Sequence, residues 1–171
     1  MSFAGRKALV LGLSDTGLSM AKWLARRGAT VRVADTRAAP PRLADLRRSL
    51  PGVAADCGPL REESFAGIDL IAISPGVPLS EPGVRRALVT GTEVVGDIEL
   101  FARAVADQHP RVIAITGTNG KSTVTALAGA MARKANADCE VAGNIGPAVL
   151  DALMRREIGR ASCRERVSSV V

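Results

Sequence analysis

Residues 112–123 read VIAITGTNGKST, and this stretch decides the fold class that the sequence predicts. The apolar, mostly β-branched run at its start is typical of a buried strand. The turn that follows has glycines at positions 117 and 120, and the spacing after Lys121 predicts a helix. A strand, a glycine turn, Lys-Ser and a helix together are typical of a loop that binds the phosphates of a nucleoside triphosphate.

The residue types in this loop suit that chemistry. Glycines let consecutive backbone N–H groups point at one anion, and the start of a helix supplies further unpaired N–H groups. Lys121 is predicted to bind the β- and γ-phosphates as the catalytic residue, and the Ser122 hydroxyl to bind Mg²⁺. Ile115 stands where the common pattern has its first glycine, so an ordinary strand-to-helix turn is the alternative. The predicted ATP site comprises Gly117, Thr118, Asn119, Gly120, Lys121, Ser122 and Thr123.

Composition narrows the class of protein. Hydrophobic residues make up 47% of the 171 residues but aromatic residues only 2%, which suits an aliphatic core around a parallel sheet. The net charge is +6, yet the arginines are scattered, so nucleic acid is not expected as a partner. The three cysteines have no paired spacing, which argues against a metal cluster or disulfides and fits a cytoplasmic protein. Neither a membrane span nor a signal peptide is visible, so no membrane partner is expected.

Strand and helix patterns alternate along the whole chain. Five strands are predicted first, then a linker, and then the phosphate-loop unit with strands at 112–116 and about 139–142. The fold class is therefore α/β. We expect a Rossmann-like N-terminal domain with a parallel five-stranded sheet at residues 1–106. The start of a P-loop ATPase-type α/β domain is expected to follow at residues 107–157. The five strands are predicted at 8–13, 30–34, 53–57, 70–73 and 93–95, with helices at 16–27, 43–50, 82–90 and 98–106.

A second nucleotide-type turn lies near the start of the chain, where residues 12–17 read GLSDTG. Its outer glycines match a dinucleotide fingerprint, but Ser14 replaces the middle glycine. Asp35 ends the second predicted strand, where a ribose-binding carboxylate would lie. A turn that only packs a helix against the sheet is the alternative.

Five segments together resemble the Mur ligase family, over residues 5–156. The segment at 96–101 and the Lys-Ser-Thr ending of the phosphate loop resemble the member that adds D-glutamate to UDP-N-acetylmuramoyl-L-alanine. The resemblance covers only the first part of such an enzyme. The five segments are GLSDTGLS at 12–19, SPG at 74–76, GDIELF at 96–101, AITGTNGKST at 114–123 and GNIG at 143–146.

This resemblance implies a cytoplasmic, monomeric ligase of peptidoglycan synthesis that uses ATP and Mg²⁺. Such an enzyme phosphorylates the carboxylate of its UDP-linked substrate to an acyl phosphate, and the amine of D-glutamate then attacks to form an amide. Phosphoryl transfer requires chiefly positioning and charge neutralisation, which the loop amides, Lys121 and Mg²⁺ would supply.

The resemblance also implies a binding site for the UDP-linked substrate. It assigns the uracil and ribose to residues 35–37 and the loop at 74–76, and the diphosphate to residues 14–16. Asp97 and Glu99 are of a residue type that often has a functional role. The alternative is that they complement the dipole at the start of a helix. The implied UDP-substrate residues are Ser14, Asp15, Thr16, Asp35, Thr36, Arg37, Ser74, Gly76 and Asn144.

Residues 158–171 depart from the family pattern and read IGRASCRERVSSVV. We expect them to be a non-native tail joined to a truncated chain, with a natural basic tail as the alternative. The chain alone is expected not to catalyse ligation, and residues 112–156 are expected to be held less firmly than residues 1–106. Three other functions stay open: a folylpolyglutamate synthetase-like ligase, a nicotinamide-dependent oxidoreductase and a non-catalytic nucleotide-binding module.

Overall fold

The structure is a computed structural model that describes residues 2–160, with side chains described as far as Glu157. Most of the predicted tail, residues 161–171, lies outside the described residues. The chain divides into two compact units, and the boundary falls between Leu100 and Phe101, inside a helix. No helix within residues 2–160 combines the length and the apolar character needed to cross a bilayer.

The first unit is built on a five-stranded sheet in which every strand pair is parallel, which confirms the predicted α/β fold. Numbered in chain order, the strands lie side by side in the order 3-2-1-4-5, so the first strand, β1 (Lys7–Leu11), is the central one. Leu9 of β1 pairs in register with Arg32 on one side and Ile71 on the other. The strands are β1 (Lys7–Leu11), β2 (Thr30–Asp35), β3 (Ala54–Cys57), β4 (Leu70–Ile73) and β5 (Glu93–Val95).

Helices connect the strands, as parallel pairing requires. The sequence pattern does not predict the helix at Glu62–Phe65, because four residues are too few to show a helical period. A single 3₁₀ turn at Ala106–Gln108 follows the last helix of this series. The helices are α1 (Asp15–Arg26), α2 (Leu43–Ser49), α3 (Glu62–Phe65), α4 (Pro82–Val89) and α5 (Asp97–Val105).

The first unit has buried side chains on α1 and on α4, and the central strands pack against α4 through a cluster that includes Val84 and Ala87. Leu9, Leu11 and Ile71 have no exposed surface, because helices cover the sheet where these strands run. Trp23 of α1 is also fully buried and meets the Phe3 ring edge to face, with the ring centroids 5.5 Å apart. Since Trp23 is the only tryptophan of the chain, its fluorescence reports the folding of this unit.

The strand order reverses at β1, since the chain first adds strands on the β2 side and then crosses to β4. In open α/β sheets, ligands bind outside the carboxyl ends of the strands at such a reversal. The loops after β1, β2 and β4 are therefore the expected position of a binding site in this unit.

Besides the end of α5 and the 3₁₀ turn, the described part of the second unit contains α6 (Lys121–Lys134) and α7 (Val149–Arg160). The predicted strands at 112–116 and 139–142 are wrong for the described residues, because only Val112 and Glu140 have isolated bridge geometry. Val112 and Ile113 are each 50% exposed. The sequence has the apolar run of a buried strand, but such a strand requires paired neighbours, and no strand ladder forms within the described part of this unit.

Candidate functional site

The turn after β1 is shaped by its two glycines. Gly12 has a φ of +86°, a conformation that side chains rarely adopt, and its N–H donates to the carbonyl oxygen of Ala34 at 2.8 Å. A Cβ atom at Gly17 would lie 1.8 Å from the Gly12 carbonyl oxygen. Gly17 therefore allows the first turn of α1 to pack directly against the end of β1.

Ser14 takes the place of the middle fingerprint glycine without backbone strain. It is the N-cap of α1 with φ −93° and ψ −169°, an extended conformation open to any residue. Its hydroxyl makes no capping hydrogen bond, so it does not compete for the N–H groups of the first helical turn. These N–H groups carry the positive end of the helix dipole and suit an anion.

Asp15 would oppose an anion at this helix start, but its charge is compensated. Nε of Arg42 lies 2.5 Å from Oδ1 of Asp15, and Nη1 of the same arginine lies 3.1 Å from Asp45. Arg42 thus joins the start of α1 to α2. Sequence reasoning missed Arg42, since nothing in the pattern relates two residues so far apart along the chain.

Asp35 ends β2 with a buried carboxylate that is only 3% exposed. Its Oδ2 accepts the backbone N–H of Leu13 at 2.6 Å and Nη2 of Arg37 at 2.6 Å. Its Oδ1 accepts the backbone N–H and Nε of Arg37, both at 2.8 Å. The hydrogen bond from the Arg37 side chain is the main cause that lowers the pKa of Asp35 from 3.8 to about 2, against the opposing effect of burial.

Ser74 follows β4 and ties its end to the turn after β1. The buried Ser74 hydroxyl donates to the Gly12 carbonyl oxygen at 2.9 Å, and the backbone N–H of Ser74 donates to the carbonyl oxygen of Leu11. The following loop folds back, since the Val77 N–H donates to the Ser74 carbonyl oxygen at 3.0 Å. The ends of β1 and β4 are thus held together at the reversal point of the sheet.

A cavity of about 310 Å³ lies where these three loops meet. That volume is at the lower end of the range typical of small-molecule sites. It brings together six of the nine residues that the sequence assigned to the UDP-linked substrate. Leu60 and Val77 also line the cavity and were missed, although Val77 directly follows a quoted motif. The six predicted residues in its wall are Ser14, Asp35, Thr36, Arg37, Ser74 and Gly76.

The other three predicted residues do not line this cavity. Asp15 is exposed and paired with Arg42, and Thr16 is half-buried in the first turn of α1. Asn144 belongs to the second unit, where its side chain is exposed.

The glycine loop of the second unit has the backbone that an anion loop requires. Gly117 and Gly120 have φ values of +145° and +75°, and Gly120 is the N-cap of α6. The segment before the loop is not helical. Nζ of Lys121 donates to the carbonyl oxygens of Gly117 and Thr118, the latter at 3.2 Å, so the ammonium group lies over the loop.

These residues fit the phosphates of a nucleotide. No side chain caps α6 and no acidic residue lies in its first turn, so the N–H groups of its first turn stay available to an anion. The loop side chains of Asn119, Ser122 and Thr123 are exposed. Within residues 2–160 there is no group of three or more His, Cys, Asp or Glu that could hold a metal ion.

Asp97 and Glu99 lie at the start of α5 and outside the wall of the 310 Å³ cavity. Burial raises the pKa of Asp97, and hydrogen bonds from backbone N–H groups, including that of Ile98, offset this only in part. Both interpretations of these acids, a functional role and a contribution to the helix start, stay predictions.

The model of the family described as "Mur ligase MurD-like, N-terminal domain" matches residues 6–96. A relative from Nitrosospira multiformis, named UDP-N-acetylmuramoylalanine--D-glutamate ligase, is 61% identical over 92% of this chain and 34% of its own length. A relative of the same name from Nitrosomonas europaea is 57% identical over 91% of this chain and 34% of its own length.

Among solved structures, a murein peptide ligase from Psychrobacter arcticus matches 80% of this chain and 28% of its own chain. Its TM-score is 0.54 at 24% identity, which supports the fold alone. The chain spans about a third of the length of the curated relatives it matches. The names of these relatives agree with the D-glutamate-adding member of the family and not with the folylpolyglutamate synthetase-like alternative.

Proposed function

The chain belongs to the Mur ligase family, and from this premise we propose that it carries the substrate-binding and phosphate-binding parts of a D-glutamate-adding ligase. The whole protein would join D-glutamate to UDP-N-acetylmuramoyl-L-alanine at the expense of ATP, in peptidoglycan synthesis in the cytoplasm, as a monomer. Residues 1–106 form the UDP-sugar-binding domain of this proposal, and residues 107–157 the start of the ATP-binding domain.

The observation that carries the proposal is the 310 Å³ cavity at the reversal point of the sheet. Arg37 and Thr36 supply donors for the carbonyl groups of a uracil ring, and the Ser14 hydroxyl lies beside the uncapped start of α1. The diphosphate is proposed to bind at that helix start with Asp15 and Thr16, where N–H groups and the dipole favour negative charge. Asn144 is proposed to contact the muramoyl end of the substrate.

The glycine loop is proposed to bind ATP. The backbone N–H groups at 117–120 and the start of α6 hold the phosphates, with Thr118, Asn119 and Thr123 as further contacts. Lys121 neutralises the charge of the transferred phosphoryl group and is the catalytic residue, and Ser122 is the ligand for Mg²⁺. Bound there, ATP would supply the phosphoryl group that activates the carboxylate of the UDP-linked substrate.

Calorimetric titration of the chain with UDP-N-acetylmuramoyl-L-alanine tests the substrate site. Gly76 lines the cavity and a Cβ atom there would meet nothing within 4 Å, so Gly76→Phe should fold and fill the cavity. Gly52 has equal space outside the cavity, which makes Gly52→Phe the matched control.

We expect Gly76→Phe to weaken binding at least about tenfold, while Gly52→Phe and Lys121→Ala bind like the wild type. Unchanged binding by Gly76→Phe would contradict the assignment of the cavity. A loss of UDP-sugar binding by Lys121→Ala would mean that the two sites are wrongly divided between the two units.

A further inference from the structure

A second cavity, of about 440 Å³, lies between α3 and α4 in the first unit. Its volume is within the range typical of small-molecule sites. Among the described residues, Leu60 alone lines both this cavity and the 310 Å³ cavity, so the two are separate spaces that share one side chain. The function proposed above assigns no ligand to the 440 Å³ cavity.

The apolar part of its wall is held in place by the core of the first unit. Leu60 and Phe65 line the cavity and also pack against the buried cluster that joins β1, β2, β4 and α4. Ala87 belongs to that cluster, is only 8% exposed and lines the cavity as well. Because these side chains are fixed by packing, the apolar surface of the cavity is formed before any ligand binds.

The Phe65 ring lies directly against the backbone of α4. A Cβ atom at Gly83 would come within 2.4 Å of two carbon atoms of this ring, so a side chain at position 83 would displace it. Phe65 is half-buried by its packing and lines the cavity. An aromatic ligand can pack against such a ring in the offset or edge-to-face arrangements that aromatic pairs prefer.

The charges in the wall cancel. Nη1 of Arg86 on α4 and Oε1 of Glu62 on α3 form an ion pair at 2.5 Å, which joins the two helices. Arg61 and Glu81 also line the cavity and add one charge of each sign. A ligand with a single charge would meet its own sign as well as the opposite one, and its charged group would lose water on binding. The wall therefore favours an uncharged ligand.

The wall also offers a hydrogen-bond acceptor. The hydroxyl of Thr90 donates to the carbonyl oxygen of Ala87 at 3.0 Å, and Thr90 lines the cavity. Since its proton is used in this bond, the hydroxyl oxygen keeps its lone pairs for an N–H donor.

We infer that the 440 Å³ cavity is a second small-molecule site, which binds an uncharged aromatic compound against Phe65 and Leu60. An N–H group of this compound donates to the hydroxyl oxygen of Thr90. The inference goes beyond the proposed function and does not depend on it, because the site lies outside the 310 Å³ cavity.

Titration of the full chain with 5-fluoroindole, followed by fluorine NMR, tests the inference. We expect saturable binding by the wild type. Ala66→Phe adds a ring at an exposed residue of the wall and should weaken binding at least about tenfold. Ala54→Phe, at an exposed alanine outside the cavity, is the matched control and should bind like the wild type. The fluorescence of Trp23 shows whether both variants fold.

Thr90→Val tests the polar contact and keeps the inference testable if Ala66→Phe does not fold. It should weaken the binding of 5-fluoroindole about threefold or more, the loss typical of one hydrogen bond. The binding of 5-fluoro-1-methylindole, which has no N–H, should not change in this variant. Thr30→Val, at an exposed threonine outside the cavity, is the matched control.

Three results would overturn the inference. The first is the absence of saturable 5-fluoroindole binding by the folded wild type, or equal binding by folded Ala66→Phe. The second is tighter binding of the anion 5-fluoroindole-2-carboxylate, which would contradict the uncharged class of ligand. The third is displacement of 5-fluoroindole by UDP, which would place the indole in the 310 Å³ cavity. Failure of the wild type to bind UDP would count against the proposed function alone.

Discussion

Acid should destabilise the first unit through Asp35 in particular. The pKa of Asp35 is about 2 in the folded chain against an ordinary value of 3.8, mainly because of the Arg37 guanidinium. That difference corresponds to about 2 kcal/mol of the free energy of unfolding. Because the folded pKa is the lower one, this stabilisation is complete above about pH 5 and is lost as the pH falls towards 2.

Urea unfolding followed by the fluorescence of Trp23 measures this contribution for the first unit alone. Asp35→Asn removes the ionisable group. The free energy of unfolding of the wild type should therefore exceed that of the variant by about 2 kcal/mol or more at pH 7. This difference in the free energy of unfolding should decrease by about 2 kcal/mol as the pH is lowered to 2. Glu63→Gln, at an exposed acid of the first unit, should keep the free energy of unfolding close to that of the wild type at every pH. A gap between wild type and Asp35→Asn that is constant from pH 7 to pH 2 would refute the reasoning.

Three further predictions concern packing, local stability and activity. Gly17→Ala should destabilise the first unit by about 3 kcal/mol in the same urea assay, because the new Cβ would overlap the Gly12 carbonyl oxygen. The control Gly52→Ala should change the free energy of unfolding by no more than about 0.5 kcal/mol. In hydrogen exchange, the amides of residues 112–116 should exchange much faster than those of β1 and β4, because residues 112–116 form no strand ladder. Equal protection of the two sets of amides would contradict this prediction. The chain alone should release no ADP coupled to amide formation when it is given UDP-N-acetylmuramoyl-L-alanine, D-glutamate, ATP and Mg²⁺. The reason is that it spans only about a third of the length of its relatives. Measurable ATP-dependent ligation would contradict this prediction.

The fold of the first unit follows from local patterns in the sequence. Short apolar runs such as 70–73 predict buried strands, and a glycine such as Gly28 predicts the end of a helix. Each of the five predicted strands is present, with its bounds shifted by a residue or two at most. The pattern fails at 112–116, because periodicity reports what a segment could bury and not whether neighbouring strands are there to pair with it.

The sequence predicts which residues meet at the candidate site but not which hydrogen bonds and ion pairs they form. Residues that directly follow strands, such as Asp35 and Ser74, meet at one edge of a parallel sheet for topological reasons. The saturation of the Asp35 carboxylate depends on the direction of the Arg37 side chain and on the Leu13 amide, which spacing does not encode. The pair of Asp15 and Arg42 depends in the same way on how α2 packs near α1.

We predict that the cavity beyond the ends of β1, β2 and β4 binds the uridine diphosphate part of the substrate. Backbone amide shift mapping with UDP-N-acetylmuramoyl-L-alanine tests it most directly. The largest changes should fall at residues 11–14, 35–37 and 74–77. Changes concentrated instead at the 440 Å³ cavity lined by Phe65 and Gly83, between α3 and α4, would contradict the claim.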